Sequence, residues 1–429
     1  MSIKKSLFPR NKFKSSVSWA FYDWASTAFG TVIITFVFSV YFAREIAVNE
    51  TEGTAQWSFA IAASGLLIAI LGPVLGSFAD QTGRKKIWII FFSLICVICS
   101  NVLWFATPGL EGSQILILLA IVALANLGLE MAQIFYNAML PDLAPKNYLG
   151  RLSGIAWGLG YLGGLSALFI LLISFIGLGD IKPLFNMPQD NAEHIRISGP
   201  FIGLWLLLFM IPLILYVPEK KQNRLGLKAA FQKGMSQLFQ TIKNVKQFKN
   251  LVLFLISSAI YRDGLVTLFA VGGVYAATQF NMNFTDILIF AIGLNLSAGL
   301  GALCFAFIND KIGSKKTILI SLFGLISFGI MILLIDDKNI FILLSLGLGI
   351  FVGPVQAASR AIVPKLVSET MITQTYGLYA FTGKSIAFLG PFMFGLATTI
   401  FETQQAGMMS IILFWFVGLL LMLKVREEQ

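Results

Sequence analysis

Histidine, cysteine and charged side chains are all scarce in this sequence. His194 is the single histidine and lies in a polar loop, so a zinc site or histidine-based catalysis has almost no material. We expect neither a metal nor a cofactor. The cysteines all fall inside apolar runs, and although Cys96 and Cys99 have the spacing of a redox pair, their position in mid-run favours plain packing.

Charged residues make up 12% of the chain and hydrophobic residues 57%, whereas soluble proteins have roughly 25% charged residues. Lipid must therefore be the solvent for most of this surface. In lipid the backbone polar groups need partners within the chain, which leaves helices or closed barrels. The apolar runs are about 20 residues long and do not alternate in polarity, so the sequence predicts an all-α membrane protein.

Hydropathy predicts twelve transmembrane helices. Met1 to Lys14 is basic and polar, and the first apolar run is too long for a signal core, so we expect a retained first span. The predicted spans, numbered 1 to 12 in chain order, are 17–44, 56–79, 87–107, 113–139, 151–176, 199–217, 250–277, 285–308, 317–335, 340–362, 375–400 and 407–424.

Lysine and arginine are distributed unevenly about these spans. Of the 31 such residues, 25 lie on the side that carries both termini and four on the other side. The positive-inside rule then places both termini in the cytoplasm. The compact chain favours a bacterial inner membrane, with a vacuolar membrane as the alternative. The bias also accounts for the net charge of +10, so we expect no nucleic-acid partner.

The chain contains an internal repeat. Gly76–Lys86, with the sequence G-S-F-A-D-Q-T-G-R-K-K, follows span 2, and a weaker copy containing Asp310 and Gly313 follows span 8. Gln133 and Gln356 correspond at an offset of 223 residues. Parallel six-span repeats are typical of a two-lobed transporter. We therefore expect six-helix lobes at 1–217 and 250–429, joined by a cytoplasmic linker at 218–249.

The linker predicts a basic amphipathic helix that lies on the inner leaflet, because apolar residues recur at helical spacing between lysines. A solvated helix without a partner is the alternative. The apolar series is Leu227, Phe231, Met235, Leu238, Ile242 and Val245.

Polar residues form stripes on spans 1, 4, 7 and 10, and span 11 adds Tyr376 and Lys384. Because such residues are costly in the bilayer, the stripes indicate a cavity or a contact between helices. Spans 3, 6, 9 and 12 are expected to face lipid, and spans 2, 5, 8 and 11 are rich in small residues. The stripes comprise Asp23, Ser26, Thr27, Gly30, Thr31 and Thr35, then Asn126, Glu130, Gln133 and Asn137, then Ser258, Arg262, Asp263 and Thr267, then Gln356, Ser359 and Arg360.

The loop G-x-x-x-D-x-x-G-R-K-K, the two halves and the long central connection together resemble the major facilitator superfamily. The second loop departs from the pattern, since it lacks the leading glycine and has Ser314 in place of the arginine. Tyr22-Asp23-Trp24-Ala25 and Tyr261-Arg262-Asp263-Gly264 resemble the vacuole-effluxer family, whose fungal members are implicated in amino-acid export from vacuoles. The resemblance implies efflux of a small molecule, with amino acids as candidates.

The same resemblance implies a conformational latch in the two loops. Asp80 and Arg84 would make charge-assisted contacts with neighbouring helix ends when the cytoplasmic side is closed. Asp80 could also cap a helix N-terminus, and the alternative is that the basic residues only set topology. The latch residues are Gly76, Asp80, Gly83, Arg84, Asp310 and Gly313.

The candidates for substrate contact or proton coupling are the polar residues within the spans. Asp23 and Asp263 are the leading carboxylates, unless Asp263 neutralises Arg262 or Lys384 and Asp23 bonds to an aromatic side chain. Glu130 is either the proton site or a partner of Arg262. Cations here suit a substrate carboxylate or phosphate, although Arg360 is close enough to the span end to be a topology charge. The candidates are Asp23, Glu130, Gln133, Arg262, Asp263, Gln356 and Lys384.

We therefore predict a secondary active transporter, acting as a monomer, that exports a small polar solute by alternating access and takes protons as its coupling ion. Several charges in the spans favour a polar or zwitterionic solute. A drug or sugar facilitator is the alternative, and a receptor without transport activity is a further one. A membrane enzyme would need a catalytic cluster at a membrane face, which no loop of this sequence supplies, so we expect no enzyme.

Overall fold

Each predicted apolar run is helical in the computed structural model, which describes residues 12–177, 182–219, 226–244, 246–282 and 284–427. Twelve helical segments in this part of the chain are long and apolar enough to cross a membrane, which confirms the fold class and the number of spans. Spans 1 to 6 are Phe13–Ile46, Glu50–Thr82, Lys85–Phe105, Ser113–Ala138, Lys146–Ile176 and Glu193–Tyr216. Spans 7 to 12 are Lys249–Phe280, Ile289–Ile312, Ser314–Leu333, Lys338–Leu366, Glu369–Phe401 and Gln404–Lys424.

Polar caps and glycines define several of the span ends. The Asn49 side chain accepts a hydrogen bond from the Glu52 amide (2.9 Å) and so satisfies a free N–H at the start of span 2. Gly83 and Gly313 follow spans 2 and 8 with φ of +65° and +89°, a region that glycine enters without steric cost. The two related loops therefore both turn at a glycine.

Spans 1 and 11 each depart from a regular α-helix. Span 1 widens into π-helical turns over Gly30–Phe36, a form that often occurs at functional sites. Span 11 is divided into Ile372–Ile386 and Leu389–Phe401, with a turn between them. Both irregularities lie on helices that the sequence identified by their polar residues.

The first half of the chain, spans 1 to 6, packs against the second half, spans 7 to 12, mainly through span 2 with span 11 and span 5 with span 8. Small residues make these approaches possible. A Cβ atom at Gly76 would lie 2.6 Å from the Thr373 carbonyl oxygen, and one at Gly154 would lie 2.6 Å from the Ala306 Cβ. Each of these distances is below any normal contact, so the helices approach at glycine.

The main contacts between the halves lie at one end of the molecule, which we call the closed end. Lys12 and Glu427, near the limits of the described chain, both lie there. The Lys12 ammonium donates to the Asp142 carbonyl (2.5 Å), and the Glu427 carboxylate accepts from Lys365 (2.7 Å). The described parts of both terminal regions are thus on the same side of the bundle.

The central connection forms a helix at Leu227–Lys243, which we call the linker helix. It packs on span 2, so it is not the solvated, partnerless helix that the sequence left open. Val245, the last member of the apolar series, lies outside the described residues.

Candidate functional site: a cavity between the two halves

A cavity of about 660 Å³ lies between the two halves, within the range of roughly 300–1,000 Å³ that is usual for small-molecule sites. Asp23 and Arg360 line it at the closed end, and Thr35, Tyr275 and Phe341 line it near the opposite ends of their spans. The cavity therefore runs from the closed end toward the other side of the bundle.

The two walls of the cavity differ in character. The first half contributes mainly polar side chains, and the second half contributes a largely apolar and aromatic wall. The polar wall comprises Asp23, Ser26, Thr27, Thr31, Thr35, Asn126, Glu130, Gln133 and Asn137. The apolar wall comprises Leu268, Phe269, Phe290, Leu294, Phe341, Leu348, Val352, Met408, Ile411 and Trp415. Such a cavity suits a solute with one polar and one apolar part.

Arg360, from span 10, closes the bottom of the cavity. Its Nη1 donates to the Asp23 carboxylate (2.7 Å), its Nε donates to the Ser153 hydroxyl (2.8 Å), and its Nη2 donates to the Ser153 carbonyl (2.7 Å). The side chains of Arg360 and Asp23 are 5% and 8% exposed. A buried pair of this kind is stable only with good geometry and additional hydrogen bonds, and here both are present.

Aromatic rings complete the surroundings of the Arg360 guanidinium. Trp19, Tyr136 and Trp157 have ring centroids 5.1, 5.6 and 5.6 Å from its central carbon, within the range of cation–π attraction. All three rings belong to the first half, as do Asp23 and Ser153. A charge from the second half is thus stabilised by the first half.

From the sequence, Arg360 was open to two interpretations, a group that contacts a substrate anion or a charge that only sets topology, and it was not among the leading candidates. In the structure its side chain is buried and lines the cavity. A signal was available, because Arg360 lies 223 residues after Asn137 and so occupies the repeat position of a residue in a polar stripe. The Arg360 Nη1 lies 3.4 Å from the Asn137 side-chain oxygen.

Asp80 and Asp310, the carboxylates of the two loops, each cap a helix of the opposite half. The Asp80 carboxylate accepts from the amides of Thr373 (3.0 Å) and Gln374 (2.8 Å) at the start of the helix Ile372–Ile386. The Asp310 carboxylate accepts from the Arg151 amide (2.9 Å) and lies 2.9 Å from the Arg151 Nε. Both aspartates therefore place negative charge at a helix N-terminus, where it is stabilising.

The remaining latch candidates play unequal parts in this state. Gly76 allows the close approach of span 11, and Gly83 and Gly313 make the turns. Arg84 is exposed and forms no hydrogen bond or ion pair with the described residues. The expected contact of Arg84 with a neighbouring helix end is therefore not formed within the part of the chain that the structure describes.

Glu130 lines the cavity and pairs with Lys384 of span 11, which does not line it, with 3.1 Å between the carboxylate and the ammonium. The predicted alternative of a Glu130–Arg262 pair is not what forms. Arg262 instead lies over the Tyr379 ring, 4.0 Å from its centroid, and lines the cavity. Arg262 has no carboxylate partner among the described residues.

Asp263 was expected beside the cavity, but it does not line it. Its side chain is buried and accepts from the Gly390 amide (2.7 Å), at the start of the second helix of span 11. Adjacent residues of an α-helix point about 100° apart, and the rotation of span 7 places Arg262 in the cavity wall and Asp263 outside it. Asp263 pairs with neither Arg262 nor Lys384.

Gln133 and Gln356, the repeat-related glutamines, both line the cavity and bond to neighbouring helices. The Gln133 amide donates to the Ser26 hydroxyl (2.7 Å), and the Gln356 amide donates to the Tyr161 hydroxyl (3.0 Å). The sequence left open whether these glutamines bind solute or join helices, and in this state they join helices.

A family model described as vacuole effluxer Atg22 like matches residues 39–429. The chain is 26% identical, over 97% of its length and 95% of the relative, to an uncharacterized MFS-type transporter YxiO from Bacillus subtilis. It is 21% identical to autophagy-related protein 22 from Vanderwaltozyma polyspora, with 81% of this chain and 73% of that protein covered.

The fold is also similar to solved structures of the major facilitator superfamily. The proton:xylose symporter XylE, bound to 6-bromo-6-deoxy-D-glucose, matches with a TM-score of 0.73 and 14% identity over 97% of this chain and 96% of that one. FucP in the outward conformation matches with a TM-score of 0.72 and 11% identity over 99% and 100% of the two chains. At such identities the likeness shows the fold alone.

The buried pair at the bottom of the cavity gives a first prediction. Asp23→Asn and Arg360→Gln each leave the other charge buried without its partner, which should destabilise the closed state by about 3–5 kcal/mol. We expect each variant to open the closed end. The double variant should lose less stability of the closed state than the two single variants added together.

The measurement is the distance between spin labels at two exposed positions of the closed end, Lys146→Cys and Lys311→Cys, in a background that lacks the native cysteines. Arg44→Gln is the control, because the Arg44–Glu50 pair is exposed and such pairs contribute about 0–1 kcal/mol. Unchanged distances in both single variants would contradict the assignment of the Asp23–Arg360 pair as a contact that holds the closed end together.

Proposed function

Since the chain belongs to the vacuole effluxer Atg22-like family of major facilitator superfamily transporters, we propose that it exports a small polar solute, in the first instance an amino acid, by alternating access. The single observation that carries this proposal is the amphipathic cavity between the halves, with Arg262 in its wall. The twelve spans make the chain an integral multi-pass membrane protein.

The orientation follows from the lysine and arginine bias, which favours the closed end as the cytoplasmic one. We therefore propose that the structure is an outward-open state of a transporter in a bacterial plasma membrane. In support, the cavity reaches residues near the ends of spans 1, 7 and 10 that lie away from the closed end. The division into lobes at 1–217 and 250–429 accompanies this proposal, with the protein acting as a monomer.

The chemistry of the cavity favours a zwitterion with an apolar side chain. Arg262 would bind the carboxylate, because a cation without a carboxylate partner at this depth is costly until an anion reaches it. Glu130 and the hydroxyls of Thr27 and Thr31 lie on the polar wall, where an ammonium group would bind. The apolar wall of the second half would cover the side chain.

Proton coupling follows from the fate of Asp23 when the closed end opens. Opening must separate Asp23 from Arg360, because they belong to different halves. A carboxylate left without its cation in a largely apolar site is costly, and binding a proton removes the charge. We therefore propose that Asp23 takes up a proton as the closed end opens, with Glu130 as a second candidate because its Lys384 partner is also in the other half.

A drug or sugar facilitator is the second candidate function, favoured by the apolar wall. Such a facilitator would not need Arg262, because a solute without an anionic group gains no binding energy from a guanidinium. The effect of Arg262 variants on transport of the identified solute therefore separates the two.

The test of the proposal is flux into proteoliposomes of the purified protein, with a pool of labelled amino acids and with or without an imposed pH gradient. We expect accumulation that collapses when a protonophore is added. Absence of amino-acid flux in both directions would contradict the amino-acid proposal, and flux that ignores the gradient would contradict proton coupling.

Arg262 provides a sharper prediction. Hydrogen bonds to charged groups contribute about 1.5–3 kcal/mol, so Arg262→Gln should raise the KM for a carboxylate solute about 10- to 150-fold at an unchanged amount of protein in the membrane. Arg262→Lys keeps the charge but loses the planar fork, and should fall between. Arg44→Gln is the exposed control, and an unchanged KM in Arg262→Gln would rule out the carboxylate site.

The cap that Asp80 forms on span 11 should affect the rate of transport, because it stabilises the closed end. Asp80→Asn keeps the shape of the cap but loses its charge, which should weaken the closed state by about 1–2 kcal/mol. We expect lower transport with normal membrane insertion, measured as initial flux per inserted molecule. Arg84→Gln, at an exposed position of the same loop, should transport more than Asp80→Asn, and normal kinetics in Asp80→Asn would count against the latch.

A further inference from the structure

One side chain of the linker helix, that of Gln237, forms hydrogen bonds with both halves of the molecule. The Gln237 amide oxygen accepts from Gln81 of span 2 (2.7 Å), and its nitrogen donates to the Thr370 carbonyl (3.1 Å) and to the Gln374 side chain (2.8 Å) of span 11. Gln374 in turn donates to the Thr241 hydroxyl of the linker helix (2.9 Å). The helix therefore crosses the seam between the two halves at the closed end.

This contact lies on the same helix start that Asp80 caps, because Asp80 accepts from the Gln374 amide while the linker helix binds the Gln374 side chain. Gly234 brings the linker helix close to span 2, since a Cβ there would lie 3.0 Å from the Ser77 carbonyl oxygen. Separation of spans 2 and 11 would therefore break the bonds of Gln237 to one half or the other.

A second face of the linker helix is apolar and largely uncovered by the part of the chain that the structure describes. Phe231, Phe239 and Ile242 are 49%, 65% and 58% exposed, whereas Ala230 and Leu238 are buried on the docking face. At about 100° per residue, the three exposed side chains fall within one narrow arc beside the docking face. An exposed apolar stripe on a helix marks an interaction surface.

Two observations indicate what covers the stripe. The Phe231 ring packs on Phe78 of span 2 with centroids 6.3 Å apart, and Phe78 packs on Trp88 of span 3, so the stripe continues the apolar outer surface of the bundle. The chain from 220 to 250 contains no acidic residue. Exposed lysines of this segment are Lys228, Lys233, Lys243, Lys246 and Lys249.

We propose that the linker helix is a lipid-responsive strap. Its apolar stripe enters the cytoplasmic leaflet, its lysines bind anionic phospholipid headgroups, and the bound helix holds Gln237 across the seam. Anionic lipid thereby favours the state in which spans 2 and 11 stay in contact at the closed end. This inference rests on the proposed orientation of the transporter, and it requires no knowledge of the solute.

The test uses the full-length protein in nanodiscs of phosphatidylcholine with increasing phosphatidylglycerol, and no solute. Spin labels at Lys146→Cys and Lys311→Cys report the ratio of closed to open molecules at the closed end. We expect that ratio to rise at least about fivefold between neutral discs and discs rich in anionic lipid. No dependence on anionic lipid would overturn the proposal.

Variants separate the strap from a general effect of lipid charge. Lys228→Gln/Lys243→Gln should reduce the response, whereas the control Lys316→Gln/Lys424→Gln, at exposed positions outside the linker, should keep it. Gln237→Ala/Thr241→Ala should abolish the response, because the linker helix then loses its side-chain hydrogen bonds to span 11. An equal response in the linker variants and the control would overturn the proposal.

The apolar stripe is tested separately by Phe239→Ser/Ile242→Ser, with Phe323→Ser on the exposed surface of span 9 as the control. The linker variant should lose most of the lipid response and the control should keep it, and the reverse result would overturn the proposal. Because the readout is a distance without solute, failure here is distinguishable from failure of the transport proposal, which is read from flux.

Discussion

The structure depends on the constraint that a charge inside a bilayer needs a partner. Arg360 meets that constraint with groups from the opposite half, namely the Asp23 carboxylate and the Ser153 hydroxyl and carbonyl. Asp80 and Asp310 follow the same logic, since each accepts from amides of the other half. The closed end is therefore stable as a whole, and opening it requires new partners for several buried charges at once. Such an arrangement favours two discrete states over a continuous range of shapes.

The two loops occupy corresponding positions in the two halves, but their contacts differ. On one side Asp310 meets both the amide and the guanidinium of Arg151. At the offset of 223 residues the equivalent of Arg151 is Gln374, so Asp80 meets amides without an arginine. Gln374 instead bonds to the linker helix through Gln237. The linker helix thus adds hydrogen bonds at the contact between spans 2 and 11, where Asp80 has no arginine partner. This is a physical reason for a helix at this position.

The fold was within reach of the sequence, while the pairing of charges was not. Spans follow from hydropathy because lipid accepts only helices or closed barrels, and a helix cap by Asp80 was one of the possibilities that the loop sequence allowed. The polar stripe of span 7 identified the helix but could not tell which of Arg262 and Asp263 faces the cavity, since that depends on helix rotation. The choice of Lys384 over Arg262 as the partner of Glu130 depends on packing between halves, which leaves no trace in a single sequence.

We propose that the Asp23–Arg360 pair governs which end of the cavity is open. The most direct measurement follows two distances in the same preparation, one between labels at Lys146 and Lys311 at the closed end and one between labels at Val48 and Glu402, exposed positions in the connections at the other end. Loss of the pair in Asp23→Asn should lengthen the first distance and shorten the second, whereas the control Arg44→Gln, which removes an exposed pair, should leave both distances unchanged. A closed-end distance that stays constant in Asp23→Asn, or one that changes equally in Arg44→Gln, would contradict this role of the pair.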